Sequence, residues 1–191
     1  MNEIRAIQGD SSNEPEIGAN IPHNVEAEQQ LLGAILTNNE IYDRIASIIG
    51  PQHFYEPVHT RIFEIATSRI TKNALASPVT LKTFLEDDAG LQELGGPAYL
   101  ARLAGAAISA FAAADYAQMI YDLSVRRELI TVGQAIAEKA AKVDVKSEPR
   151  EQIVEAEQEL YRLAEQGTSE SGFQSFLKAV TEAVNIANTA Y

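Results

Sequence analysis

Cysteine is missing from all 191 residues. Its absence excludes a disulfide scaffold, a thiolate zinc site and a cysteine nucleophile, and it fits a reducing compartment. Histidine is scarce, with His23, His53 and His59 the full set. No run of about 18 apolar residues occurs, so no bilayer-spanning helix is expected. The first ten residues, MNEIRAIQGD, lack an apolar stretch, and no signal peptide is expected. None of the 11 glycines precedes a lysine, so the phosphate loop GxxxxGK[ST] has no match, and GxGxxG is missing as well. Positive charge is also in short supply. Fifteen Lys and Arg face 27 Asp and Glu, for a net charge of −12, and every section of the chain is acidic. Nucleic-acid affinity rests largely on cations that displace counterions, so strong direct DNA or RNA binding is not expected. An acidic surface can still dock a basic partner.

The chain is long enough for one domain, or one plus an appendage, hiding roughly 70% of its unfolded surface. Residues 1–20 crowd Ser11, Ser12, Asn13, Glu14, Pro15, Gly18 and Asn20 with few apolar residues and read as a disordered tail. From Ile21 onward nearly everything has helical period. Asn24 is a plausible N-cap for a helix with Ala27, Leu31, Leu32, Ile35 and Leu36 on one face. Gly33 inside it costs about 1 kcal/mol relative to Ala, which close approach of another helix would explain. Ile41, Ile45, Ile48 and Ile49 mark a second helix, stopped by Gly50-Pro51; Ile62, Phe63, Ala66 and Ile70 mark a third. Thr80 is expected to cap a short helix with Leu81, Phe84 and Leu85 inward, ended by Asp87, Asp88 and Gly90. Pro97 starts another, with Tyr99, Leu100 and Leu103 as its apolar side. The Ala-rich stretch 104–114 reads equally as helix or turn.

The longest element spans roughly Asp115 to Val143, with a stripe of Tyr116, Met119, Ile120, Leu123, Leu129, Ile130, Val132 and Ile136. After Ser147-Glu148-Pro149 a second helix runs from about Arg150 to Glu165, carrying Ile153, Val154, Ala156, Leu160 and Leu163. Two long helices across a short polar turn fold back as an antiparallel hairpin. An arm of roughly 40 Å overhangs a small head, so part of its stripe needs a partner from outside the chain. Gly167 to Gly172 read as a flexible linker. A final amphipathic helix with Phe176, Val180, Val184 and Ala187 on one face reaches Tyr191 without a stop signal, which points to a cut in a longer chain.

No convincing active site emerges. His53, Glu56 and His59 straddle a Pro-broken bend and make an improbable metal set. Glu26 and Glu28 sit in a first turn, two residues apart and on different sides, where they are expected to complement the helix dipole. Asp87-Asp88 are expected to end a helix on a solvated surface. Arg126 and Arg127, flanked by Asp122 and Glu128, are expected to make surface ion pairs worth little each. Tyr116 and Tyr121 are core or interface aromatics. A helical enzyme would have to gather Glu26, Glu28, His53 or His59 into one pocket, and no spacing supports that. The reading is an all-α, non-enzymatic module: a tail over 1–20, a globular helical head over 21–110, a protruding antiparallel hairpin over 111–166, then a flexible linker and one docking helix over 167–191.

Four stretches together resemble a known family. Pro22-His23-Asn24-Val25-Glu26-Ala27-Glu28-Gln29 with Leu31-Leu32-Gly33 is similar to the opening of the N-terminal domain of DnaB-type bacterial replicative helicases. Phe54-Tyr55, His59 and Ile62-Phe63 resemble its second signature, and Gly95-Gly96, Ala98-Tyr99-Leu100 and Leu103 its third. Ala114, Tyr116, Ile120, Arg127, Leu129 and Ile130 follow its hairpin pattern. The Ala-rich 104–114 connection and the acidic tail depart from it.

The resemblance implies a collar over a hexameric ring of RecA-like motors, with hairpins pairing as dimers and three dimers closing the collar. It implies docking of the primase C-terminal domain on the hairpin region, contact with a helicase loader, and a linker helix packing on the motor of an adjacent subunit. ATP and Mg would belong to that motor, outside these residues, so this fragment carries no catalytic site while the full-length protein is an ATP-dependent helicase. The setting it implies is the bacterial cytoplasm, at the nucleoid-associated replication fork. Interface residues expected on this reading are Tyr116, Met119, Ile120, Arg127, Ile130, Ile136, Ile153 and Leu160, with Phe176, Val180, Val184 and Ala187 as the linker-helix face. A free-standing adaptor or loader-type protein without a motor would share this architecture.

Overall fold

Asn24 does open the first helix: its Oδ1 accepts the backbone N–H of Ala27 at 3.0 Å, one of the donors a helix start leaves over. The structure, a computed structural model, describes residues 21–142 and 148–166. The expected tail, residues 143–147 and the expected linker helix with Phe176, Val180, Val184 and Ala187 lie outside the described residues. Among the described residues the chain is all-helical: α1 (Val25–Thr37), α2 (Ile41–Ile45), a 3-10 turn (Pro51–His53), α3 (Pro57–Ile70), α4 (Pro78–Leu85), α5 (Ala89–Glu93), α6 (Pro97–Gly105), α7 (Ala113–Ala141) and α8 (Pro149–Gln166). No helix among them is long and apolar enough to cross a membrane.

The core follows the apolar spacing. Leu31, Leu32 and Ile35 of α1, Ile62 and Phe63 of α3, and Leu100 and Leu103 of α6 are essentially removed from solvent. Each such side chain contributes roughly 1.5–3 kcal/mol through burial. Gly33 is where α1 and α6 meet. A Cβ there would lie 1.9 Å from the Leu103 carbonyl oxygen, so only glycine lets the two backbones come this close.

Three local expectations are corrected. Ser77, not Thr80, caps α4: the Ser77 Oγ accepts the Thr80 N–H at 3.3 Å while the Thr80 hydroxyl accepts the Ser77 N–H at 2.9 Å. The reciprocal pair fixes the start three residues earlier, with Pro78 in the first turn. Phe84 is 57% exposed, because Leu81 and Leu85 take the inward face of this short helix; its ring lies 5.2 Å from the Arg69 guanidinium. Asp88 begins a helix as well as following one: its Oδ1 accepts the Leu91 N–H at 2.9 Å and caps α5, which holds Gly90 and buries Leu91. Gly95 and Gly96, at φ +100° and +64°, turn the chain into Pro97 of α6.

The head also extends further along the chain than residue 110. Ala113, Ala117 and Ile120 of α7 belong to the same core as α1 and α3. Beyond Ser124 none of the described residues of α7 is buried, and α7 packs on α8.

Candidate functional site

The signature residues converge on the interior, at the foot of the arm. Glu28 does sit in the first turn of α1, but it is only 1% exposed and has further partners. Its Oε1 accepts the Tyr55 N–H at 2.7 Å and its Oε2 the Glu56 N–H at 3.3 Å, two donors left over where α3 begins. His59 Nδ1 lies 2.7 Å from the same carboxylate, and His59 Nε2 lies 2.6 Å from Tyr99 Oη. The Gln29 amide also donates to Tyr99 Oη, at 3.0 Å. One proton arrangement satisfies every atom: Nδ1–H donates to Glu28, and the Tyr99 hydroxyl donates to Nε2. Burial chiefly, with the nearby Glu56 and Glu28 charges, raises the Tyr99 phenol above its usual range, against the pull of Gln29 and Arg102. A buried charge is tolerated only when its lone pairs are filled in this way. No buried side-chain nitrogen or oxygen among the described residues lacks a partner.

Arg127 joins the arm to this network. Its Nη1 donates to the Pro22 carbonyl at 2.9 Å and its Nη2 to the His53 carbonyl at 2.7 Å. The guanidinium carbon stands 5.7 Å from the Tyr55 ring centre, and the same ring stacks on His23 at 4.2 Å. The expected surface ion pair is therefore replaced by a half-buried, two-carbonyl tie, which the planar guanidinium suits. Burial lowers the Arg127 pKa, while Glu28, Tyr55 and Glu128 pull the other way. His53 caps the turn through Nδ1, which accepts the Gly50 N–H at 3.0 Å, and its ring meets Tyr121 edge-on at 5.0 Å. Burial first, and the Arg127 charge second, push the His53 pKa down.

Beside this foot lies an open cleft of about 1020 Å³ between residues 46–53 and the hairpin, lined by Gln52, His53, Tyr121, Glu128 and Arg162 among others. Its Ser124 hydroxyl donates to the Tyr121 carbonyl of its own helix at 2.7 Å. Glu26 accepts from Gln30 on the surface, Glu28 and His59 are sealed inside, and His53 stands apart. These residues share no solvent-accessible pocket. His53, Glu56 and His59 do not converge on a metal either; no group that could hold one exists among the described residues.

The expected interface residues separate into two sets. Ile120 is 1% exposed and belongs to the core, so it offers almost no surface to a partner in this structure. Arg127 spends two donors inside the chain, and Tyr116 packs against the core. Met119 is exposed at the arm's foot and takes a long contact from the Asn24 amide. Further out, Ile130 and Ile136 are half-buried, whereas Ile153 (60% exposed) and Leu160 (44%) are open to solvent. Leu129, Val154 and Tyr161 are similarly exposed, and the spacing marked only some of them. Leu163, by contrast, is buried at the base of α8. Glutamates surround the stripe: Glu155 pairs with Lys139 of α7, and Glu159 pairs with Arg162.

The arrangement is a helical head that buries its polar signature and carries an arm with exposed apolar residues. The sequence profile of the DnaB-like helicase N terminal domain matches residues 20–122, and the chain belongs to that family. It is 37% identical over 190 residues, 99% of its length, to the replicative DNA helicase DnaB of Rickettsia conorii. With the Haemophilus influenzae DnaB it shares 34% identity over 151 residues. It spans only 38% and 32% of the length of those two relatives. The crystal structure of the N-terminal domain of DnaB helicase from Mycobacterium tuberculosis has the same fold, with a TM-score of 0.68 at 23% identity, over 75% of this chain and 99% of that one. A DnaB-like replicative helicase whose structure was described with its interactions with primase matches at a TM-score of 0.58 and 26% identity, over 85% of this chain and 35% of that one.

Proposed function

We propose that this chain is the collar of a hexameric, ATP-dependent bacterial replicative helicase, an oligomerisation and primase-docking domain working at the cytoplasmic replication fork. The observation that carries the reading is the outer half of the hairpin. Leu129 of α7 and Ile153, Val154, Leu160 and Tyr161 of α8 are large apolar side chains left exposed on the hairpin. Exposed apolar side chains gathered in one region mark an interaction surface. Family membership and the likeness to a helicase described with primase support the choice of partner.

On this reading the arms pair between copies, three pairs close the collar, and the primase C-terminal domain docks on the hairpin region. A loader and the motor of an adjacent subunit are further partners, the latter through the helix around Phe176, Val180, Val184 and Ala187. No glycine precedes a lysine anywhere in the chain, so the phosphate loop has no match here. On this reading ATP and Mg belong to a motor outside these 191 residues, and the work of this chain is docking and assembly. The acidic charge suits a protein-docking role with little direct DNA binding.

The test is titration of the 191-residue chain with the C-terminal domain of primase from the same organism, alongside sedimentation of the chain alone. Saturable binding and a concentration-dependent dimer are expected. Ile153→Asp with Leu160→Asp should abolish at least one of them while leaving the helical circular dichroism intact. Undiminished pairing and undiminished binding in that double variant would remove the arm from the interface.

A further inference from the structure

We propose that Arg127 is the positioning residue of the docking arm: its two-carbonyl clasp fixes the direction in which the hairpin leaves the head. The inference deepens the reading of the hairpin as a docking surface and rests on it only for the partner-binding arm of the test.

α7 is one continuous helix that crosses from the head's interior into solvent. Up to Ser124 it offers a buried residue every three or four positions: Ala113, Ala117, Ile120 and Ser124. Beyond that point none of its described residues is buried. Arg127 is one turn further out. Among the described residues, no side chain of α7 past Arg127 hydrogen-bonds to the head.

The two carbonyls it holds come from different segments. Pro22 precedes α1, and His53 closes the 3-10 turn. A single tie would leave the helix free to roll or tilt about the bond. Two ties from separate segments, made by one planar group, fix both motions. The second segment is itself gripped from behind. Glu28 holds the Tyr55 and Glu56 amides, while Arg127 holds the His53 carbonyl two residues earlier. The short stretch 53–56 is thus clamped between the buried carboxylate of α1 and the cation of α7. The arm's direction is referred to a carboxylate that is itself buried in the head.

The measurement is a distance distribution between nitroxide labels on the 191-residue chain. The absence of native cysteine makes Lys82→Cys on α4 and Ala137→Cys on the outer arm the only labelled sites; both positions are exposed. One narrow distribution is expected with Arg127 in place, and a broadened, shifted one in Arg127→Ala. Ile120→Val destabilises the head without touching the clasp and should keep the distribution narrow. An unchanged distribution in Arg127→Ala, or equal broadening in Ile120→Val, overturns the proposal. If Arg127→Ala fails to fold, Arg127→Lys is read the same way, because an ammonium lacks the fork that spans both carbonyls; a narrow distribution there overturns it too.

Affinity for the primase C-terminal domain supplies the functional readout. If the docking orientation falls to about a tenth of the population, apparent affinity falls about tenfold. Broadening with unchanged affinity for a partner that does bind would overturn the positioning role. No binding by the unaltered chain would instead defeat the docking reading, while the label distances still decide the clasp.

Discussion

The two halves of α7 have the same backbone and opposite surroundings. The inner half is built of small and branched residues that fit between α1 and the 3-10 turn: Ala113, Ala117, Ile120 and Ser124, all buried. The outer half exposes Leu129 to 47% and places Gly133 in open space, with no atom within 4 Å of a built Cβ. Helical continuity therefore says nothing about energetic continuity. The inner half is held by tertiary packing, which supplies most helical stability in folded proteins. The outer half depends on propensity and on α8. Stability should reside in the head and recognition in the arm, and substitutions can be chosen to set the two against each other.

The largest effect should come from Glu28→Leu. It leaves the Tyr55 and Glu56 amides and the His59 ring without their acceptor in a sealed site. A loss of about 3–5 kcal/mol is expected in denaturant unfolding followed at 222 nm. Its outer counterpart, Glu155→Ala, removes an exposed pair with Lys139 and should stay within about 0.5 kcal/mol of the unaltered chain. Equal losses at the two positions would break the contrast. Next in size is Ile120→Ala, expected to cost about 3 kcal/mol through the cavity it leaves, whereas Leu129→Ala should cost well under 1 kcal/mol. A large loss at Leu129 would mean that the outer arm carries stability after all.

The asymmetry between the halves also explains what could be read from the sequence. Helical period found every long helix, and the spacing of Leu31, Leu32, Ile62, Phe63 and Leu100 located the core, because apolar burial imposes that period directly. Gly33 was legible for the same reason: a costly residue mid-helix demands a cause, and Leu103 is the cause. The polar network was not legible. Glu28, His59, Tyr99 and Arg127 lie on α1, α3, α6 and α7, 28 to 99 residues apart, and no local rule connects them. Glu28 in a first turn has an adequate local explanation, so its deeper role left no unexplained residue behind. Arg127 was misread likewise, since Glu128 and Asp122 offered it nearer partners than two distant carbonyls. The recurrence of these residues in the four signature stretches was the available clue. That the first half of α7 shares the head's core was not legible either, because a 29-residue helix gives no sequence mark where it changes neighbours.

Glycine substitution sharpens the contrast with opposite signs. Gly33→Ala gains helix propensity but drives a Cβ into the Leu103 carbonyl, a backbone group that cannot turn aside. A net loss of about 1–3 kcal/mol is expected. Gly133→Ala meets nothing and should gain roughly 0.5–1 kcal/mol of helix stability. Calorimetry of both variants tests it. A stabilising Gly33→Ala would mean that α1 and α6 can separate without cost. A destabilising Gly133→Ala would mean that the outer face of α7 is already covered, most simply by a second copy.

The smallest effect is the most selective, because all three histidines lie in the head and none between residues 113 and 166. The His53 pKa is pushed below its usual value by burial and then by Arg127. As pH falls through about 6.5 the unfolded chain takes up a proton that the folded head resists. The stabilising contribution is full above that value and is lost as pH falls on through the folded pKa. Melting temperature should therefore decline between pH 7.5 and 5.5 in the unaltered chain more steeply than in His53→Gln. Carboxylates such as Glu155 contribute to both proteins alike, so the difference between the two slopes isolates the ring beside the clasp. Parallel slopes would place the titration elsewhere. Steeper decline in the unaltered chain, with label distances to the outer arm widening over the same interval, would tie the His53 turn to the direction of the arm.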